Sequence, residues 1–167
     1  MPNPATHLIV PLVLADIWRD YFAKKRFPLF YVLAAGIAGL FPDIDIAIWW
    51  VLNLLYEVPK ELVHRQFTHS IFMPLLFVLI AMLWRKNRKA LLLFSMIGFG
   101  IFTHLLLDAI FSGSIMPFYP FADYKLGLDL VSRISANVPT LLAVFDGVLL
   151  GGWLIHEYAK HRIKDFI

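Results

Sequence analysis

ALLLFSMIGFGIFTHLLLDAIF, residues Ala90–Phe111, decides the fold. From Ala90 to Leu107 it carries no formal charge if His104 is neutral, and its length approaches the roughly 20 apolar residues that a helix needs to cross a bilayer. A basic run, Arg85-Lys86-Asn87-Arg88-Lys89, stands immediately before it, and a second uncharged stretch, Gln66 to Trp84, stands before that. Further out, Phe27–Pro42 is uncharged, apolar character resumes from Ile46 to Tyr56, and Ile134–His156 is apolar except for Asp146. Leu8–Trp18 is a shorter run broken only by Asp16, and is read as a tilted or half-buried helix. Between Phe27 and Tyr56 lies Pro42-Asp43-Ile44-Asp45, which reads as a break in a membrane helix. Irregular backbone at that depth is tolerated where it lines a polar site. The expected fold class is therefore all-α: a polytopic membrane helix bundle of about four to five membrane helices, one of them broken at Pro42–Asp45.

Composition agrees. The chain is 60% hydrophobic and only 16% charged, against about a quarter charged for a soluble domain, so it has too little polar surface to cover a core in water. Its 167 residues fit a single domain, 1–167, with no repeat and no separate soluble part. The absence of cysteine excludes disulfides, thiolate metal sites and cysteine nucleophiles together. No basic region precedes an apolar run at the N-terminus, so a cleavable signal peptide is not expected.

A net charge of +3 would fit a nucleic-acid partner, but the basic residues are placed otherwise. Lys24-Lys25-Arg26, Arg85–Lys89 and Lys160-His161-Arg162 with Lys164 each end an apolar run, the pattern of charges that fix membrane orientation. No nucleic acid is expected. With all three clusters on the cytoplasmic side, the C-terminus is cytoplasmic and the N-terminus outside. His7, the segment His64–Ser70 and the end of the span carrying His104 and Asp108 then fall toward the extracytoplasmic face, where Asp43 and Asp45 join them if the helix breaks at Pro42.

These are ligand-type residues. His104 and Asp108 are four apart and share one helix face. An ionisable pair inside an apolar span is costly and marks a functional site more readily than a structural pair. Asp43 and Asp45 flank Ile44 after Pro42; a helix N-cap explains one of them, not both. His64-Arg65-Gln66-Phe67-Thr68-His69-Ser70 places two histidines five apart, so part of it is loop, with Thr68 or Ser70 suited to capping the next helix. His7 alone is weak and gains weight only from the topology. His156 and His161 read as solvated, and Asp146 has no evident partner. His7, Asp43, Asp45, His64, His69, His104 and Asp108 are more ligands than one catalytic zinc needs, and fit a pair of divalent ions better. The nitrogen and oxygen donors fit zinc, manganese or iron alike.

Thr6-His7, Leu40-Phe41-Pro42-Asp43-Ile44-Asp45, His64–Ser70, and His104-Leu105-Leu106-Leu107-Asp108 followed by Ser112-Gly113 and Pro117 together resemble the YdjM-like inner-membrane metal-dependent hydrolases. The resemblance covers residues 6 to about 120. It implies an inner-membrane (cytoplasmic-membrane) enzyme, and a more remote similarity to zinc-dependent phospholipase C and the S1/P1 nucleases points to phosphoesters. On that basis His7, Asp43, His64, His69, His104 and Asp108 are expected to hold metal. Asp45 is expected to orient or deprotonate a water, and Arg65 to take up charge on phosphoryl oxygens. Membrane lipid is then both environment and expected substrate. Two rivals come from other classes. A metal-ion or proton transporter would string polar residues across the bilayer, and a non-catalytic membrane protein would keep a structural metal.

Overall fold

The computed structural model describes residues 3–111, 114–130, 133 and 137–161. Ser112 and Gly113, Arg162 and Lys164, and the first residues of the last apolar run lie outside the described residues. All regular structure in the described residues is helical, apart from one isolated bridge between Ile115 and Leu126. The helices are α1 (Pro4–Ile17), α2 (Leu29–Ala38), α3 (Ile44–Tyr56), α4 (Phe72–Leu83), α5 (Arg88–Phe111) and α6 (Val138–His161).

α5 and the Thr140–Lys160 part of α6 are long and apolar enough to cross a membrane. α2, α3 and α4 are shorter apolar helices. The expected span Gln66–Trp84 is helical only over its last two-thirds. Phe67–His69 is drawn into a 3₁₀ turn, and the 12 residues of α4 reach about 18 Å, against a hydrocarbon core of roughly 30 Å. The expected break at Pro42–Asp45 is present: α2 ends at Ala38, a run of turns follows, and α3 starts at Ile44.

α1 begins with Pro4, whose fixed φ suits the first turn of a helix. Its interior Pro11 cannot donate to the His7 carbonyl four residues back. Gly39 packs into that place. A Cβ on Gly39 would overlap the His7 carbonyl oxygen and come within 2.8 Å of Pro11 Cγ. Gly100 plays the same part for α5, where a Cβ would overlap the Ala35 carbonyl. Two glycines thus let α1, the end of α2 and the middle of α5 approach closely. Below them, Leu12, Ala15, Phe27, Leu29, Val32, Ala35 and Met96 form the apolar core.

α1 ends in a π turn, Trp18–Phe22, closed by the Ala23 N–H on the Trp18 carbonyl at 2.9 Å. The turn presents Arg19 and Asp20 to α6. Arg19, 1% exposed, lies 3.1 Å from Asp16 and 3.6 Å from Glu157. Trp153 donates to Asp16 at 3.1 Å, and Lys160 lies 2.9 Å from Asp20. His156, expected to be solvated, instead meets Asp20 at 3.0 Å. Asp146, for which no partner was evident, accepts from Thr6 Oγ1 at 2.8 Å. α1 and α6 therefore run parallel, joined by polar contacts near both ends.

The chain direction through these helices separates two ends of the bundle. The start of α1, the end of α2, the start of α4 and the end of α5 share one end. Lys24–Arg26, Arg85–Lys89 and Lys160 lie at the other.

Candidate metal centre

Four segments bring ligand-type side chains to the end opposite the basic residues. α1 contributes His7, the break after α2 contributes Asp43, the 3₁₀ turn before α4 contributes His69, and α5 contributes His104 and Asp108. His7, His69, His104 and Asp108 are each at most 1% exposed. The two facing imidazole nitrogens, His69 Nε2 and His104 Nε2, are 3.2 Å apart. Asp43 Oδ1 stands 3.6 Å from His69 Nε2 and 3.7 Å from His104 Nε2. Asp108 Oδ2 stands 3.6 and 3.8 Å from the same two atoms.

These separations test whether an ion fits. A zinc ion with bonds of about 2.0–2.1 Å sets tetrahedral ligand atoms about 3.3–3.4 Å apart. The five distances, from 3.2 to 3.8 Å, bracket that value. Asp43 Oδ1 is buried with no hydrogen-bond partner among the described residues, as a ligand atom awaiting a cation would be. His7 is set slightly apart. Its ring stacks on His104 with centroids 3.9 Å apart, and its Nε2 lies 3.5 Å from the other Asp108 oxygen, Oδ1. Neither His7 nitrogen has a hydrogen-bond partner among the described residues. Asp43, His69 and His104 thus offer donors to one ion, with Asp108 Oδ2 beside the two imidazoles, and His7, His104 and Asp108 form an adjoining group.

The remaining contacts fix the orientation of these ligands. His104 Nδ1 donates to the Gly39 carbonyl at 2.7 Å, which leaves Nε2 as the acceptor nitrogen facing the cluster. Asp45 holds the opposite edge. His64 Nδ1 lies 2.9 Å from its Oδ1. Its Oδ2 accepts from Thr68 Oγ1 at 2.8 Å and the Arg65 N–H at 3.1 Å, and His69 Nδ1 lies 3.2 Å away. Neither Asp43 nor Asp45 caps α3 through its side chain. Thr68 and Ser70 do not cap α4 either: Thr68 is spent on Asp45, and Ser70 donates to the Phe67 carbonyl.

Arg65 adopts the left-handed conformation, φ 65°, which costs energy for a residue with a side chain. Its N–H on Asp45 holds it there, and its guanidinium reaches to 3.6 Å from Asp108 Oδ2. His64 stands with Asp45 and His69, outside the four closest donors, and its Nε2 is buried with no hydrogen-bond partner among the described residues.

The electrostatics favour positive charge here. Burial alone would push the His69 imidazole down, but Asp43, Asp45 and the charge of Asp108 outweigh it and raise its pKa. Burial would raise Asp43, yet the adjacent His69 imidazole, with His104 and His7, holds it below its ordinary value. With neutral histidines, three carboxylates and one guanidinium leave a formal −2, the charge that one divalent cation balances.

Of the seven residues that the sequence singles out, the structure brings Asp43, His69, His104 and Asp108 together, with His7 beside them and Asp45 and His64 at the far edge of His69. Sequence reasoning missed Thr6 with Asp146, whose separation by 140 positions no local pattern reports. It also missed Gly39, visible only as a glycine ahead of the break.

The fold and site together define a helical membrane protein whose buried His/Asp cluster is able to hold a metal ion. The family described as YdjM inner membrane protein matches residues 1–163, and the chain belongs to it. No curated protein and no solved structure shows a significant match.

Proposed function

We propose that the chain is a membrane-embedded metal-dependent hydrolase acting on a phosphoester or phosphodiester of a lipid. The observation that carries this reading is the group Asp43, His69 and His104, with Asp108 Oδ2 within 3.8 Å of both imidazoles, at distances suited to a divalent ion, zinc before manganese or iron. Such an ion supplies Lewis acidity and a water acidic enough to attack phosphorus near neutral pH. His7 and Asp108 Oδ1 offer a second, less complete position.

The chain's own residues do the rest. Asp45 holds His64 and His69 by their Nδ1 edges and keeps their Nε2 atoms directed away from it. This makes it a positioning residue; its oxygens are already engaged, which argues against the general-base role. The Gly39 carbonyl sets the His104 tautomer. Arg65 brings a fixed positive charge beside Asp108, where it would hydrogen-bond phosphoryl oxygens and stabilise the charge that builds on them. The positive-inside rule places this end of the bundle toward the extracytoplasmic face, with the C-terminus cytoplasmic.

The structural-metal reading has one argument in its favour: if Asp43 and Asp108 both joined His69 and His104 on one ion, four protein donors would close a tetrahedron, whereas catalytic zinc keeps a position open. Two features favour catalysis. The Asp43 side chain is 17% exposed while His69, His104 and Asp108 are fully buried, so the cluster comes nearest the surface at Asp43, and a structural ion has no need of a guanidinium 3.6 Å from its ligand. Zinc-loaded protein in detergent, assayed on bis(p-nitrophenyl) phosphate and on dioleoylphosphatidylglycerol, separates the readings. Hydrolysis of either that falls about a hundredfold in Arg65→Lys at unchanged zinc content supports the hydrolase. Full zinc occupancy with no turnover of any phosphoester supports the structural metal.

A further inference from the structure

An open groove of about 730 Å³ runs along α2 between that helix, α4 and α5. Phe30, Ile37, Phe41, Phe77 and Ile97 are among its walls, and Asp43 is its one ionisable lining residue. Asp43 is also a donor of the candidate metal centre. Two other apolar grooves among the described residues, one beside Leu14 and Phe22 and one beside Pro74 and Phe102, reach no ionisable side chain.

The dimensions match a particular occupant. α2 has 10 residues and so runs about 15 Å, half of a hydrocarbon core of roughly 30 Å. A groove one leaflet deep, apolar along its length and acidic at the end where the metal-ligand set lies, has the polarity profile of a single lipid chain with its head group. Phe30 and Ile37 are 54% and 66% exposed, so the groove opens sideways, toward the bilayer.

We propose that this groove seats one acyl chain of a membrane phospholipid and brings its head group to the end where the candidate metal centre lies. The fate of the head group rests on the hydrolase reading; the seat for the chain does not. Lipid tails are as apolar as the groove walls, so the groove's preference for a chain comes from the fit of its shape rather than from apolar burial as such. The groove also orients: a chain held along α2 brings the glycerol and phosphoester that follow it toward the cluster. Access from the side also spares the head group a journey through water.

The test uses the full chain in detergent with dioleoylphosphatidylglycerol as the probe. Native mass spectrometry counts retained lipid, and elemental analysis counts zinc. Ala34, half-buried in the groove wall, and Ile97 opposite it are each replaced by Trp to fill the groove. Leu14→Trp obstructs a groove that does not reach the cluster. The wild type and Leu14→Trp should keep one lipid per chain. Ala34→Trp and Ile97→Trp should keep about tenfold less, all at equal zinc content, which reports that the cluster is still assembled. Equal retention in all four proteins, or no lipid on the wild type, overturns the seat. Lipid retained by the wild type and lost from the groove variants, with no phosphoester cleaved, upholds the seat and removes the hydrolase reading instead.

Discussion

Asp45→Asn is the most informative single change at the cluster, because Asp45 is placed to orient ligands rather than to be one. It is 3% exposed and receives contacts from His64 Nδ1 at 2.9 Å, Thr68 Oγ1 at 2.8 Å, the Arg65 N–H at 3.1 Å and His69 Nδ1 at 3.2 Å. Asn keeps the shape, removes the charge and replaces one acceptor oxygen with a donor that opposes an imidazole N–H. Losing one charge-assisted hydrogen bond costs about 1.5–3 kcal/mol of stability. Removing the carboxylate behind a metal-bound histidine typically weakens metal affinity by about 10–100-fold, or roughly 1.4–2.8 kcal/mol. Zinc affinity in detergent, measured by competition with a chromophoric chelator, should therefore fall within that range, while His104→Ala should remove tight binding altogether. If Asp45→Asn abolishes zinc binding as fully as His104→Ala, Asp45 is a ligand and the orienting role is wrong. If its affinity equals that of the wild type, the contacts around Asp45 do not reach the metal.

Three other changes probe how the site is held. Gly39→Ala forces a Cβ against the His7 carbonyl and Pro11 and should cost about 1–3 kcal/mol; a lowered unfolding midpoint in detergent together with weaker zinc binding is expected, and unchanged values of both would contradict the close approach. Asp146→Ala leaves the buried Thr6 hydroxyl without its acceptor and should destabilise by about 1–3 kcal/mol, read in thermal unfolding with and without zinc. Because Thr6 adjoins His7, the loss should be the larger for the zinc-loaded protein. Arg19→Met removes the buried cation that faces Asp16 and Glu157 and should cost about 3–5 kcal/mol. The double variant Arg19→Met with Asp16→Leu should recover part of this in the same assay, and failure to recover would argue against the ion pair as the source.

Much of the site was legible because local spacing reports local geometry. The four-residue step from His104 to Asp108 fixes one helix face, and Pro42 ahead of two aspartates predicts a break. The basic clusters, each ending an apolar run, order the helices so that distant ligands meet at one end. Hydropathy does not report where a helix starts. Gln66–His69 is uncharged like the helix after it, yet it forms a 3₁₀ turn because Thr68 and His69 are drawn onto Asp45. Pairings across the bundle were also invisible. Thr6 with Asp146 and Asp20 with His156 join residues 140 and 136 positions apart, and only the parallel packing of α1 on α6 brings them together. The role of Asp45 was open between base and orienter because a sequence shows that a carboxylate is near, not which edge of which imidazole it meets.

We propose that Asp43, His69 and His104, with Asp108 beside them, hold a divalent ion. Elemental analysis of the full chain, purified in detergent without added chelator, tests it most directly when paired with His69→Ala and Asp108→Ala. The structure predicts at least one tightly held transition-metal ion, zinc foremost, per wild-type chain and a loss of that ion in both variants while the helical circular dichroism signal persists. A wild-type chain that takes up no metal even from excess zinc, or variants that bind it as tightly as the wild type, would contradict the account.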